Sequence, residues 1–174
     1  MFRGSTRGRF TFQREAASRF LKQVLRVNDR ATVFAIDVKP RLEQVRTGAE
    51  QATAKLAMIE PTRQPTAFYD TVAEAARYLQ KETPGRHRRV IVAISDGEDT
   101  YSQELQTVQA ALAEVQRADA VFYSINPSGQ ALRLNIISRR GQNEMEMLAN
   151  GTGGGAFIPE VIEDLDEDFR AHRG

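Results

Sequence analysis

Apolar residues fall along this chain in two alternating rhythms. From Gln13 onward Ala16, Ala17, Phe20, Leu21, Val24 and Leu25 recur three or four residues apart, which predicts an amphipathic helix ending near Asn28-Asp29. The run from Ala31 to Asp37 then reads as a strand, and Leu42 to Arg46, charged along its length and preceded by Pro40, as a short edge strand. Ala49 to Met58 is helix-prone, and Pro61 and Pro65 confine the residues between them to a loop. Tyr69, Val72, Ala75, Ala76 and Leu79 mark a helix that starts close to Thr66 or Asp70. Val90 to Ser95 is an unbroken apolar run, rich in β-branched residues and too short for a typical helix, which predicts a strand buried on both faces. Leu105, Val108, Leu112 and Val115 give a further helix, Ala120 to Ile125 a strand, and residues 126 to 139 a loop. Gln142 to Asn150 reads as a helix, Gly153 to Pro159 as a glycine-led strand, and Ile162, Leu165 and Phe169 as the apolar side of an acidic last helix. The first ten residues, dominated by glycine, serine and arginine, read as a loop.

Strands and helices joined in alternation by short connections predict an α/β fold: a doubly wound, mainly parallel sheet with helices on both faces. At 174 residues, with no linker or repeat, the chain is expected to form a single domain over 1–174. Asp96 ends the most apolar strand. In an open α/β sheet ligands bind beyond the carboxyl ends of the strands, so Asp96 is the first candidate for function. Ser95, Asp96 and Gly97 also favour a turn for purely local reasons, and that alternative stands beside the functional one.

Composition narrows the chemistry. A formal charge of +1, from 24 basic and 23 acidic residues, gives no net field toward nucleic acid, and neither nucleic acid nor membrane insertion is expected. The basic run Arg86-His87-Arg88-Arg89 precedes its strand and is expected to be a solvated entry to it. The absence of cysteine excludes disulfides and thiolate chemistry. The opening residues lack the apolar core of a signal peptide. His87 and His172 are not spaced to share a metal, no phosphate-binding loop occurs, and Ser95 sits in no nucleophile elbow. Gly151-Thr152-Gly153-Gly154-Gly155-Ala156 matches the letters of a dinucleotide fingerprint but leads from helix to strand, the reverse of what a pyrophosphate site needs. Asp96 and Asp99 remain as an acid and base pair for an alternative function, a metal-dependent hydrolase or phosphotransfer domain.

Hard oxygen groups also gather on the loops assigned to one sheet end: Asp96 after a strand, Thr66 before a helix and Ser5 ahead of the first helix. Such oxygens suit magnesium or calcium, while a helix cap is the competing role for Thr66. Thr66-Ala67-Phe68-Tyr69-Asp70, the strand from Val90 into Ser95-Asp96-Gly97-Glu98-Asp99-Thr100, and Met147 to Gly154 running into Ala156-Phe157-Ile158-Pro159 together resemble the von Willebrand factor type A domain, particularly its bacterial branch. That resemblance implies a Rossmann-like doubly wound sheet with a metal-ion-dependent adhesion site at its carboxyl end. There Mg2+ (or Mn2+ or Ca2+) holds an acidic group of a partner protein, and no reaction is catalysed. Ser5, Thr66 and Asp96 would be the metal ligands.

The amino terminus departs from the family pattern. On the D-x-S-x-S metal motif fall Met1-Phe2-Arg3-Gly4-Ser5, so Met1 replaces the aspartate and Arg3 the first serine, and the central first strand is missing. The resemblance thus implies either an amino-terminally truncated domain or a degenerate member. With one carboxylate and one hydroxyl lost, the adhesion site is expected to be incomplete.

Overall fold

Arg89 to Ile94 forms the strand on which the other elements assemble. The computed structural model describes residues 5–60, 64–83, 85–126 and 136–158; at 5–10, 12, 13, 16 and 136–138 it describes the backbone only. The described elements, in chain order, are α1 (Ser5–Val24), β1 (Ala31–Ala35), β2 (Arg41–Thr47), α2 (Ala49–Met58), α3 (Phe68–Glu82), β3 (Arg89–Ile94), α4 (Val108–Arg117), β4 (Ala120–Ile125), α5 (Ile136–Thr152) and β5 (Ala156–Phe157). The chain has an α/β fold.

The strands form two groups. β3, β4 and β5 make a parallel sheet in that order, with Arg89 opposite Ala120 and Ile94 opposite Ile125. β1 and β2 make a separate antiparallel pair, with Ala31 opposite Thr47 and Ala35 opposite Arg41. A connection as short as residues 36–40 joins two strands only as a hairpin, so this pair has to be antiparallel. The sheet structure is therefore parallel only in part, where the sequence pattern pointed to one mainly parallel sheet.

Helices cover both faces of the parallel sheet. On one face α3, α4 and α5 bring Phe68, Val115 and Leu148 onto Ile91, Ala93 and Phe122. On the other, Phe20 of α1 packs with Val92, Ile94, Tyr123, Ile125 and Phe157. β3 is not buried evenly, however: Ile91 and Ala93 are enclosed, whereas Val90, Val92 and Ile94 are only partly covered. The partial cover has a local cause. A cavity of about 1720 Å³ lies between β3 and β1, bounded by α1 and α3.

Several boundaries differ from the sequence pattern. α1 begins at Ser5, within the segment whose glycines suggested a loop, because extending a formed helix costs little once it is nucleated. α5 begins at Ile136 and runs to Thr152, and the glycine-led strand shortens to Ala156–Phe157. The acidic last helix and most of the 126–139 segment lie outside the described residues. Arg89 closes the entry to β3 by donating to Ala118 O and Thr83 O, both at 3.0 Å, while Arg86, His87 and Arg88 are exposed. No helix among the described residues is long and apolar enough to cross a membrane.

The chain between α5 and β5 is pressed onto β4. Thr152 Oγ1 accepts from Phe122 N at 2.9 Å, Gly155 O accepts from Ser124 N at 3.0 Å, and a Cβ on Gly154 would stand 1.8 Å from Phe122 O. Backbone cannot yield as a flexible side chain can. Gly154→Ala should lower unfolding free energy by about 3 kcal/mol or more in urea titration, and Gly85→Ala, which meets open space, by no more than about 0.5 kcal/mol.

Candidate functional site

Asp96 stands at the carboxyl end of β3, just past the last ladder bond, Ser95 N to Ile125 O at 3.1 Å. The turn that follows is made by the local chemistry its sequence suggests. Gly97 takes a φ of 77°, its amide donates to Ser95 Oγ at 3.1 Å, and the Glu98 amide donates to Asp96 Oδ1 at 3.3 Å. This turn lies directly against α5. A Cβ on Gly97 would be 2.3 Å from Gly141 O and one on Gly141 would be 2.6 Å from Asp96 O, so both positions need glycine.

Thr66 is bound to the same loop from the other side. Its amide accepts no helix role; it donates to Thr100 Oγ1 at 2.8 Å, its carbonyl accepts from Thr100 N and Tyr101 N at 2.9 and 3.0 Å, and its hydroxyl donates to Glu98 O at 3.0 Å. The cap position of α3 belongs to Ala67, with no side-chain cap bond, so Thr66 does not serve as the cap. Ala67 N donates to Asp37 O at 2.8 Å, which brings the end of the β1 segment to the same place. Asp37, Thr66 and Asp96 all line the cavity between β1 and β3. Ser5 is the first residue of α1 and its side chain, like the whole of Met1 and Arg3, lies outside the described residues.

Asp99, which the sequence offered as half of an acid and base pair, and Asp70 hold this loop in shape. Asp99 Oδ1 accepts from Tyr69 N at 3.2 Å and from Ser102 Oγ at 2.5 Å, and Asp99 Oδ2 accepts from Ser102 N at 3.3 Å. Asp70 accepts from the amides of Gln103, Glu104 and Leu105 at 2.7, 3.2 and 2.8 Å. Both therefore fix the segment after β3 to the first turn of α3. Behind them Tyr69, 3% exposed, donates to Glu144 Oε2 at 2.6 Å, and Arg140 Nε donates to Glu144 Oε1 at 2.8 Å. Burial first, then the bond to the Glu144 carboxylate, pushes the Tyr69 phenol well above its usual range, so it remains a neutral donor.

Among the described residues no group of three or more His, Cys, Asp or Glu could hold a metal ion. Thr66 and Asp96 are nevertheless donors of the kind that magnesium takes. A hydroxyl that donates its proton keeps acceptor capacity, and a carboxylate has two oxygens of the kind that bind a hard cation. They fit such an ion in chemistry and supply a single carboxylate to it.

The positioning role of Asp70 has a direct test. Asp70→Ala leaves three amides without their acceptor and should reduce stability by about 1–3 kcal/mol in urea titration. Hydrogen exchange at Gln103, Glu104 and Leu105 should accelerate in the variant. Unchanged exchange there would show that the carboxylate does not hold the loop.

No family model and no curated protein matches this chain. Solved structures do match. An aerotolerance-related membrane protein from Bacteroides fragilis NCTC 9343, carrying multiple mutations to serines, is similar with a TM-score of 0.66 and 18% identity, over 98% of this chain and 89% of that one. The conserved hypothetical protein BatB from Bacteroides thetaiotaomicron gives 0.67 at 16% identity, over 92% of this chain and 85% of its own. A von Willebrand factor type A protein from Catenulispora acidiphila gives 0.58 at 18% identity, over 93% of this chain and 37% of its own. Identity this low speaks to fold alone. By this likeness in structure the chain has a von Willebrand factor type A-like fold.

Proposed function

We propose that this chain is a non-enzymatic, protein-binding domain of the adhesion type, whose binding face is the carboxyl end of β3. Thr66 and Asp96, with Ser5 at the second serine of the resembled motif, would hold a divalent ion, Mg2+ or alternatively Mn2+ or Ca2+. When bound, that ion supplies a positive charge able to take an acidic side chain of a partner protein. The observation that carries this reading is the tethering of Thr66, through its backbone and its hydroxyl, to the residues immediately after Asp96.

The protein's own groups support binding over turnover. A general acid or base must be able to reach a substrate proton, and Asp99, the carboxylate that would complete a catalytic pair with Asp96, has both oxygens engaged by Tyr69 and Ser102. Asp99 acts here as a positioning residue. Of the three residues that the resemblance makes ligands, only Asp96 is a carboxylate.

Isothermal titration with Mg2+ or Mn2+ should give a dissociation constant of about 1 mM or weaker, lost in Asp96→Ala. Micromolar affinity abolished by that substitution would show that the oxygens present suffice for a complete site. Phosphoesters and carboxylic esters offered with either ion should not be turned over. Turnover that disappears in Asp96→Ala would replace binding with a metal-dependent hydrolase.

A further inference from the structure

We infer that the end of the fold opposite Asp96, where β1 and β3 begin, is a face that docks on an anionic lipid bilayer, its arginines taking phosphate headgroups and Val27 entering the interface between them. The first observation is a segregation of charge that the formal charge of +1 over the whole chain conceals. Beyond the ends of α1 and α3 the chain passes through Arg26 to Arg30 and through Arg86 to Arg89. Arg26, Arg30, Arg86, His87 and Arg88 are exposed there, and Asp29 is the one carboxylate in the two segments. Glu82 and Asp119, which close α3 and follow α4, are matched in number by Lys81 and Arg46, so the arginines remain in excess.

Backbone connections bring the two segments to one end. The chain beyond β1 meets Ala67 through Asp37 O, and the chain beyond β3 meets Thr66 through Glu98 and Thr100, so the two strands finish together. They also begin together. Arg46, beside the Thr47 that pairs with Ala31, donates to Glu82 O, and Arg89 donates to Thr83 O at 3.0 Å, which ties the entries of β1 and β3 to the same helix end. Because this face lies opposite Asp96, the inference does not depend on ion binding there.

The turn between α1 and β1 holds an apolar side chain out in water. Arg26 N donates to Asp29 Oδ2 at 2.8 Å, Asp29 N donates to Arg26 O at 3.0 Å, and the Arg30 guanidinium donates to Val27 O and Asp29 O at 2.9 and 2.8 Å. Val27, within this braced turn, is 93% exposed. Exposure that complete forgoes the gain an apolar side chain makes on leaving water, and a bilayer interface returns it while its phosphates meet the flanking arginines. A nucleic acid would answer the same charge, but its bases call for stacking partners, and neither segment holds a Phe, Tyr or Trp.

The test sediments the full chain with vesicles of equal parts phosphatidylcholine and phosphatidylserine, and with vesicles of phosphatidylcholine alone. The chain should bind the anionic vesicles and lose most of that binding as salt is raised, because exposed charges are screened over about 10 Å at 0.1 M. Each cation near such a surface is worth roughly fivefold in partitioning, so Arg86→Gln combined with Arg88→Gln should weaken binding about 25-fold. Val27→Ser should weaken it about threefold or more, and Lys39→Gln, an exposed cation in the turn between β1 and β2, by less than about twofold. All four positions are exposed, and unchanged thermal midpoints will show that the variants fold. Binding no greater to anionic than to neutral vesicles would overturn the inference. So would an equal loss from Lys39→Gln, no effect of Val27→Ser, or tighter retention of a poly-dT oligonucleotide than of the anionic vesicles, which would assign the face to nucleic acid.

Discussion

The candidate site depends on backbone amides captured by carboxylates. A loop beyond a strand has peptide groups with no ladder to satisfy them, and leaving several unbonded costs a substantial part of a domain's stability. Here Asp99 and Asp70 take the amides of Tyr69, Ser102, Gln103, Glu104 and Leu105, and Thr66 takes those of Thr100 and Tyr101. The start of α3 and the loop after β3 consequently behave as one body. Asp96 is held in place by groups that need never touch a ligand.

The same loop is clamped from behind by α5. Gly97 and Gly141 approach so closely that neither tolerates a Cβ, and the buried Glu144 lies between the Tyr69 hydroxyl and Arg140. Glu144 is on α5 and Tyr69 on α3, so this contact joins the two helices flanking the Asp96 turn. A shift of α5 along its axis would meet the turn through backbone atoms, with no side chain between to absorb it. The position of Asp96 is thus coupled to the packing of the helical layer.

At the other side of β3 no strand pairs with it among the described residues, and a cavity separates it from the antiparallel pair of β1 and β2. The incomplete cover of Val90, Val92 and Ile94 is the visible result. Packing and pairing are therefore complete where β3 meets β4 and the α3 to α5 layer, and open toward β1.

Local patterns in the sequence were enough to place β4 at Ala120–Ile125 and α2 at Ala49–Met58, to identify the apolar strand ending in Asp96, and to mark Thr66 as its companion through family resemblance. The strands and the helix rest on periodicity and turn chemistry within a few residues, whereas the pairing of Thr66 with Asp96 rests on the resemblance. The start of α1 at Ser5 was not legible, since glycine and arginine content argued for a loop while helix extension depends on what the helix is joined to. Asp70 looked like an ordinary acidic residue in a first helical turn, a placement favoured by the helix dipole alone. Its partners lie 33 to 35 residues away, Thr66 reaches Glu98 and Thr100 at 32 and 34, and Asp99 reaches Tyr69 at 30, and contacts across such separations leave no periodic mark. Only the tertiary structure decided that Asp99 braces a loop, that Thr66 is not a cap, and that β1 pairs with β2 in a sheet separate from that of β3, because each of these is a relation between segments and not a property of any one of them.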